Sequence, residues 1–116
     1  MTIKECYQKM GGDYDEVFSR FRKDERIQKF VLKFLDDKSY ELLCESLKSE
    51  NYDEAFRAAH TIKGICQNLS FTKLYQSSSQ LTELLRGGKH DQIDDYVQSV
   101  KEDYLLTVEA IQELDK

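Results

Sequence analysis

The chain has 116 residues, of which 40% are hydrophobic and 34% charged, with no proline and five glycines. That is material for one soluble, globular domain with one core, and the missing proline removes the strongest helix breaker. A net charge of −5 argues against a nucleic-acid module, which needs a basic face, and against attachment to an anionic membrane.

The three cysteines, Cys6, Cys44 and Cys66, are odd in number and far apart, so neither a disulfide framework nor a zinc site is expected. No apolar run approaches the length of about 18 residues that a membrane helix needs, and no signal-peptide pattern opens the chain. A reduced cytoplasmic setting follows as the default.

Met1 to Met10 read as a short helix with Ile3, Tyr7 and Met10 on one side, ended by Gly11-Gly12. Asp13 is placed to cap a second helix, with Glu16 at the capping-box position and Tyr14, Val17, Phe18 and Phe21 as its apolar face. A third helix starts near Asp24, with a broad stripe of Ile27, Phe30, Val31, Phe34 and Leu35. Asp36 to Ser39 mark a break, after which a helix over 38–50 turns Tyr40, Leu43 and Leu47 inward.

Asn51, with Glu54 three residues on, signals the start of a helix over 52–69. Ala55, Ala59, Ile62, Cys66 and Leu69 recur at steps of four and three, the seam of a packed bundle helix. Ser70-Phe71 leaves room only for a tight turn, so the next helix, 72–86, must return antiparallel. Thr72 is its expected cap, and Leu74, Ser78, Leu81 and Leu85 its seam. Gly87-Gly88 end it. Asp91 is placed to cap the last helix, 92–114, whose seam is Ile93, Val97, Val100, Tyr104, Val108 and Ile111. His90, in the loop before it, reads as an ordinary surface residue.

The spacing therefore predicts an all-α protein: an antiparallel up-and-down four-helix bundle over 37–116, with additional short N-terminal helices in 1–36 covering one end, all within a single domain. No repeat or linker divides the chain.

The chemistry lies on the helix over 52–69. At about 100° per residue, His60 falls roughly 150° from the centre of the apolar seam, so its imidazole points at water. Lys63 follows one turn on, Gln67 two turns on, and Gly64 puts no side chain beside the ring. A glycine inside a helix costs about 1 kcal/mol relative to alanine; open access for a partner would account for it. An imidazole with an ordinary pKa of about 6.5 is a nucleophile near neutral pH, and a lysine one turn away can meet the charge of an attached phosphoryl group. Phe56 and Arg57 flank the histidine as candidate partner contacts, with Arg57 and Lys63 making an acidic protein locally basic.

Ala59-His60-Thr61-Ile62-Lys63-Gly64, set in an amphipathic helix, resembles the signature of histidine-containing phosphotransfer (HPt) domains. The likeness continues through Asn68-Leu69 and 71–86, and departs at Ser70, where the family often has glycine. It implies a bundle fold and a free-standing, bacterial-type phosphorelay protein. Its phosphorylated nucleophile is His60, attacking through Nε2, with Lys63 stabilising the phosphate and Gly64 giving access. The implied partners are receiver domains of response regulators or of a hybrid histidine kinase. The receiver brings the Mg2+, the acidic pocket and its own lysine, and this chain needs no cofactor. No Walker loop or Gly-rich turn after a strand is present, so a phosphocarrier without kinase activity is expected, acting as a monomer. The alternative is a helical adaptor that binds a signalling partner through the same face and never carries phosphate. A metal-binding bundle finds little support, because His60 and His90 are the only histidines and no inward Glu-x-x-His motif accompanies them.

Overall fold

A computed structural model describes residues 1–115, and every regular element among them is helical. In chain order they are α1 (Ile3–Met10), α2 (Tyr14–Phe21), α3 (Asp24–Lys33), α4 (Ser39–Lys48), α5 (Tyr52–Leu69), α6 (Thr72–Arg86) and α7 (Asp94–Asp115), with short 3₁₀ turns at Phe34–Asp36 and His90–Gln92. Helices α4 to α7 form the bundle. Successive members pack side by side, α4 on α5, α5 on α6 and α6 on α7, and α1 lies along α7.

The seam residues explain why α5 sits at the centre. Ala55, Ala59, Ile62 and Cys66 are fully buried or nearly so, and small residues at this spacing let neighbouring helices approach closely. Burial also pushes the Cys66 thiol up in pKa, so it behaves as a small apolar residue. On α6, Leu74, Ser78, Leu81 and Leu85 all face the core. Ser78 and Thr82 fit there because each hydroxyl donates to the carbonyl one turn back, at Leu74 and Ser78, 2.7 Å in both cases.

Several local expectations need correction. Helix α6 is not capped by Thr72: Phe71 holds the cap position, and its ring is buried between Tyr7 and Phe34. Helix α7 begins at Asp94, not Gln92, because residues 90–92 form a 3₁₀ turn and Ile93 drops into the core. The seam of α7 also shifts: Val97, Tyr104 and Val108 are half-buried, while Thr107 and Ala110 are buried. His90 is not an ordinary surface residue. Its ring stacks on Tyr52, centroids 3.8 Å apart and planes 16° from parallel. Phe18 and Phe30, placed on apolar stripes by their spacing, are 40% and 38% exposed.

The capping signals acted in part. Asp13 and Asn51 accept from the backbone N–H of Glu16 and Glu54, but neither glutamate reaches back to close a box. Glu54 pairs with Arg57 instead, and Glu16 with Arg20 and Ser70.

Ser70 joins the N-terminal helices to the turn between α5 and α6. Its φ of 57° lies in the left-handed region, where glycine is the usual occupant. Here the side chain is held: its hydroxyl donates to Glu16 Oε1 at 2.6 Å, and Arg20 Nη1 donates to its oxygen at 3.1 Å. The Ser70 hydroxyl, and then Arg20, hold the Glu16 carboxyl below the usual carboxylate range. The backbone is tied too. Asp13 N–H donates to Ser70 O, Lys73 N–H to Gly11 O, and the buried Tyr7 hydroxyl to Leu69 O at 2.7 Å.

Gly12 is needed for this closeness. A Cβ there would stand 2.7 Å from the Tyr7 ring and 2.9 Å from Ser70 O. Gly12→Ala is therefore expected to lower stability by about 1–3 kcal/mol, the usual range for overpacking. A urea unfolding midpoint equal to wild type would show that the turn adapts.

Candidate functional site

The α5 seam fixes which side chains leave the bundle. With Ala55, Ala59, Ile62 and Cys66 turned inward, His60 is exposed, and Gly64 is exposed one turn further on. A Cβ built on Gly64 meets nothing within 4 Å. The glycine is thus not required for helix packing, and the space over the imidazole is open to solvent. Lys63, on the adjacent edge, is half-buried. Thr61 does not crowd the ring, since its hydroxyl donates to Arg57 O at 2.9 Å.

Phe56 is half-buried and leans toward the histidine, its ring centroid 6.0 Å from the imidazole and tilted by 48°. Arg57 is exposed, and its Nη1 donates to Glu54 Oε1 at 2.5 Å. Its charge is therefore partly offset by an exposed partner. Lys63 takes part in no ion pair within 4.0 Å among the described residues, which leaves it the uncompensated cation beside His60. Gln67 is exposed on the same helix but lies about 10 Å along the axis from His60, at 1.5 Å per residue. It lines a groove with Glu16, Arg20, Ser70 and Tyr75 and is not brought to the imidazole.

Sequence reading missed Arg86. Its guanidinium stands over the Phe56 ring, 5.1 Å from the centroid, while also pairing with Glu83 at 3.1 Å. The hairpin contains the signal. A tight turn at Ser70-Phe71 sets residues whose numbers sum to about 142 at the same level on α5 and α6, which places residue 86 opposite residue 56.

The arrangement offers one exposed nucleophile, an unobstructed approach, a cation one turn away and an aromatic flank carrying a second cation from α6. No helix among the described residues is long and apolar enough to cross a membrane. Comparison with models of protein families matches the Hpt domain over residues 37–115, a span that contains α4 to α7. Comparisons with curated proteins and with solved structures give no match. The chain belongs to the Hpt family, the helical phosphotransfer modules of phosphorelay signalling.

Proposed function

We propose that His60 is the phosphoryl acceptor, taking its group from the phosphoaspartate of a receiver domain and passing it to an aspartate of another. The observation that carries this reading is the exposed His60 beside an open Gly64 on a chain of this family.

The step balances simply. The Nε2 lone pair of the neutral ring, with its proton on Nδ1, attacks phosphorus. An N–P bond forms, the P–O bond to the receiver's aspartyl group breaks, and that aspartate leaves as a carboxylate. The reverse step on a second receiver regenerates the imidazole. Nε2 is the ring nitrogen farther from the backbone, so on an exposed helical histidine it reaches the partner. Phosphoryl transfer depends mainly on positioning and charge stabilisation. The Mg2+ and acidic pocket belong to the receiver, while this chain contributes the nucleophile, Lys63 as a cation for the phosphoryl oxygens, and access over Gly64. Phe56, Arg57 and Gln67 supply contacts at the edge of the same face. Arg86 holds Phe56 in place and adds positive charge.

The test is incubation with a phosphorylated receiver, followed by acid and base treatment of the labelled chain. A phosphoramidate is lost in acid and survives base. A label that is lost in base lies on a carboxylate or an aliphatic hydroxyl and refutes the reading. Lys63→Ala should slow transfer or shorten the phosphoform lifetime by a factor of about 2–5, in keeping with the modest energy of a solvent-exposed ion pair. Unchanged rate and lifetime would remove Lys63 from the mechanism.

A further inference from the structure

We infer that α2 is a strap across the C-terminal end of α5, and that it lifts away as a unit while α1 and α4 to α7 stay folded. Of its eight residues only Val17 is buried, whereas α1, of the same length, buries Ile3, Cys6, Tyr7 and Met10. Phe18 is 40% exposed, and its ring leans on Tyr14 of its own helix. Elements with few buried apolar contacts open at a lower free energy than the whole domain. Both ends of α2 sit at left-handed residues: Gly11, shortly before it, has φ 76°, and Arg22, just after it, φ 64°. A non-glycine residue held there is strained, and an opened α2 no longer imposes that conformation on Arg22.

What α2 holds is the last turn of the helix that carries His60. The last four carbonyls of a helix have no partner within it. In α5 these belong to Cys66 through Leu69. Backbone N–H groups of Phe71 and Ser70 donate to Cys66 O and Gln67 O. The N-terminal helices meet the other two: Arg20 Nη1 donates to Asn68 O at 2.5 Å, and the Tyr7 hydroxyl to Leu69 O at 2.7 Å. Arg20 also sets a cation at the negative end of the helix dipole. Glu16 accepts from both Arg20 and Ser70, so three side chains act as one clasp. The Arg20 and Glu16 side chains are 38% and 52% exposed, so water competes for the clasp and opening it costs little. Tyr7 is fully buried and keeps its half of the cap when α2 leaves.

The cysteines report this motion. A groove of about 390 Å³ has Glu16 and Arg20 along one wall and Ser70 and Tyr75 along the other. Cys66 lines it and is nevertheless fully buried. Lifting α2 removes one wall and brings solvent to that thiol. Cys6 is also fully buried, on α1, and stays covered. Cys44 is exposed in either state.

The experiment treats the full chain with N-ethylmaleimide, at urea concentrations below the unfolding transition, and follows the initial rate at each cysteine by peptide mass spectrometry. Cys44 is expected to react first and Cys6 last, with Cys66 faster than Cys6 by at least about tenfold. Ser70→Ala and Arg20→Gln each weaken the clasp, and each is expected to speed Cys66 by about fivefold or more, the effect of losing one net hydrogen bond. Ile93→Val, at the opposite end of the bundle, destabilises the closed and open forms alike. It is expected to speed Cys6, which global unfolding exposes, by about two- to tenfold and to leave Cys66 unchanged. Equal rates at Cys66 and Cys6 in the wild-type chain overturn the strap, since both thiols are then reached only by global unfolding. A Cys66 rate that Ile93→Val raises in step with Cys6, or that both clasp variants leave unchanged, overturns it too.

Discussion

His60→Gln is expected to abolish labelling by a phosphorylated receiver while leaving the bundle unaltered. Glutamine is close to histidine in size, favours a helix more strongly, and occupies a position that is fully on the solvent side of α5. Stability should change by less than about 0.5 kcal/mol, as for surface substitutions generally. The amide nitrogen of glutamine has no available lone pair, so nothing at position 60 can attack phosphorus. Affinity for the unphosphorylated receiver should persist, because the surrounding surface is intact. Label incorporation at the wild-type level in this variant would place the acceptor at another residue, whereas a wild-type chain that takes no label yet binds the receiver would favour the adaptor reading.

Gly64→Gln should separate stability from function in the opposite sense. A mid-helix glycine is less favourable than glutamine by about 0.5–1 kcal/mol, and a Cβ at this exposed position meets no neighbouring element within 4 Å. The variant should therefore unfold at higher urea concentration than wild type. One turn from His60, its amide would stand in the approach path of the partner. A displacement of about 1 Å from attack geometry costs roughly 100-fold in rate, so transfer should fall by at least that amount. Labelling by phosphoramidate, which needs little room, should fall far less. Normal transfer from the receiver would show that access is not the reason for the glycine.

Helix α5 and the direction of His60 were legible in the sequence because both follow from one periodicity. The seam at Ala55, Ala59, Ile62 and Cys66 fixes the inner side, and the angle to residue 60 is arithmetic. The α5–α6 hairpin was legible for a similar reason, since a two-residue turn leaves only an antiparallel return. The features that were not legible are long-range. Ser70, at a position where the resemblance leads to glycine, is held by Glu16 and Arg20 through its hydroxyl, and Glu16 lies more than 50 residues away in sequence. No local pattern encodes that. Phe30 sits on a helical stripe with Ile27 and Val31, yet the stripe alone does not say which of its edges a neighbour covers. His90 stacks on Tyr52 from a glycine-rich loop whose path depends on where Ile93 enters the core. Arg86 reached the site through helix pairing, a step further than reading α5 by itself.

The chain has two histidines, His60 and His90, and they can be observed together. In protein carrying 15N-histidine, phosphorylated by a receiver, the account predicts a shift of the His60 Nε2 resonance with 31P coupling, while the ring nitrogens of His90 stay where they were. A phosphorylated chain in which the coupled nitrogen belongs to His90, or in which neither ring couples to phosphorus, would contradict it.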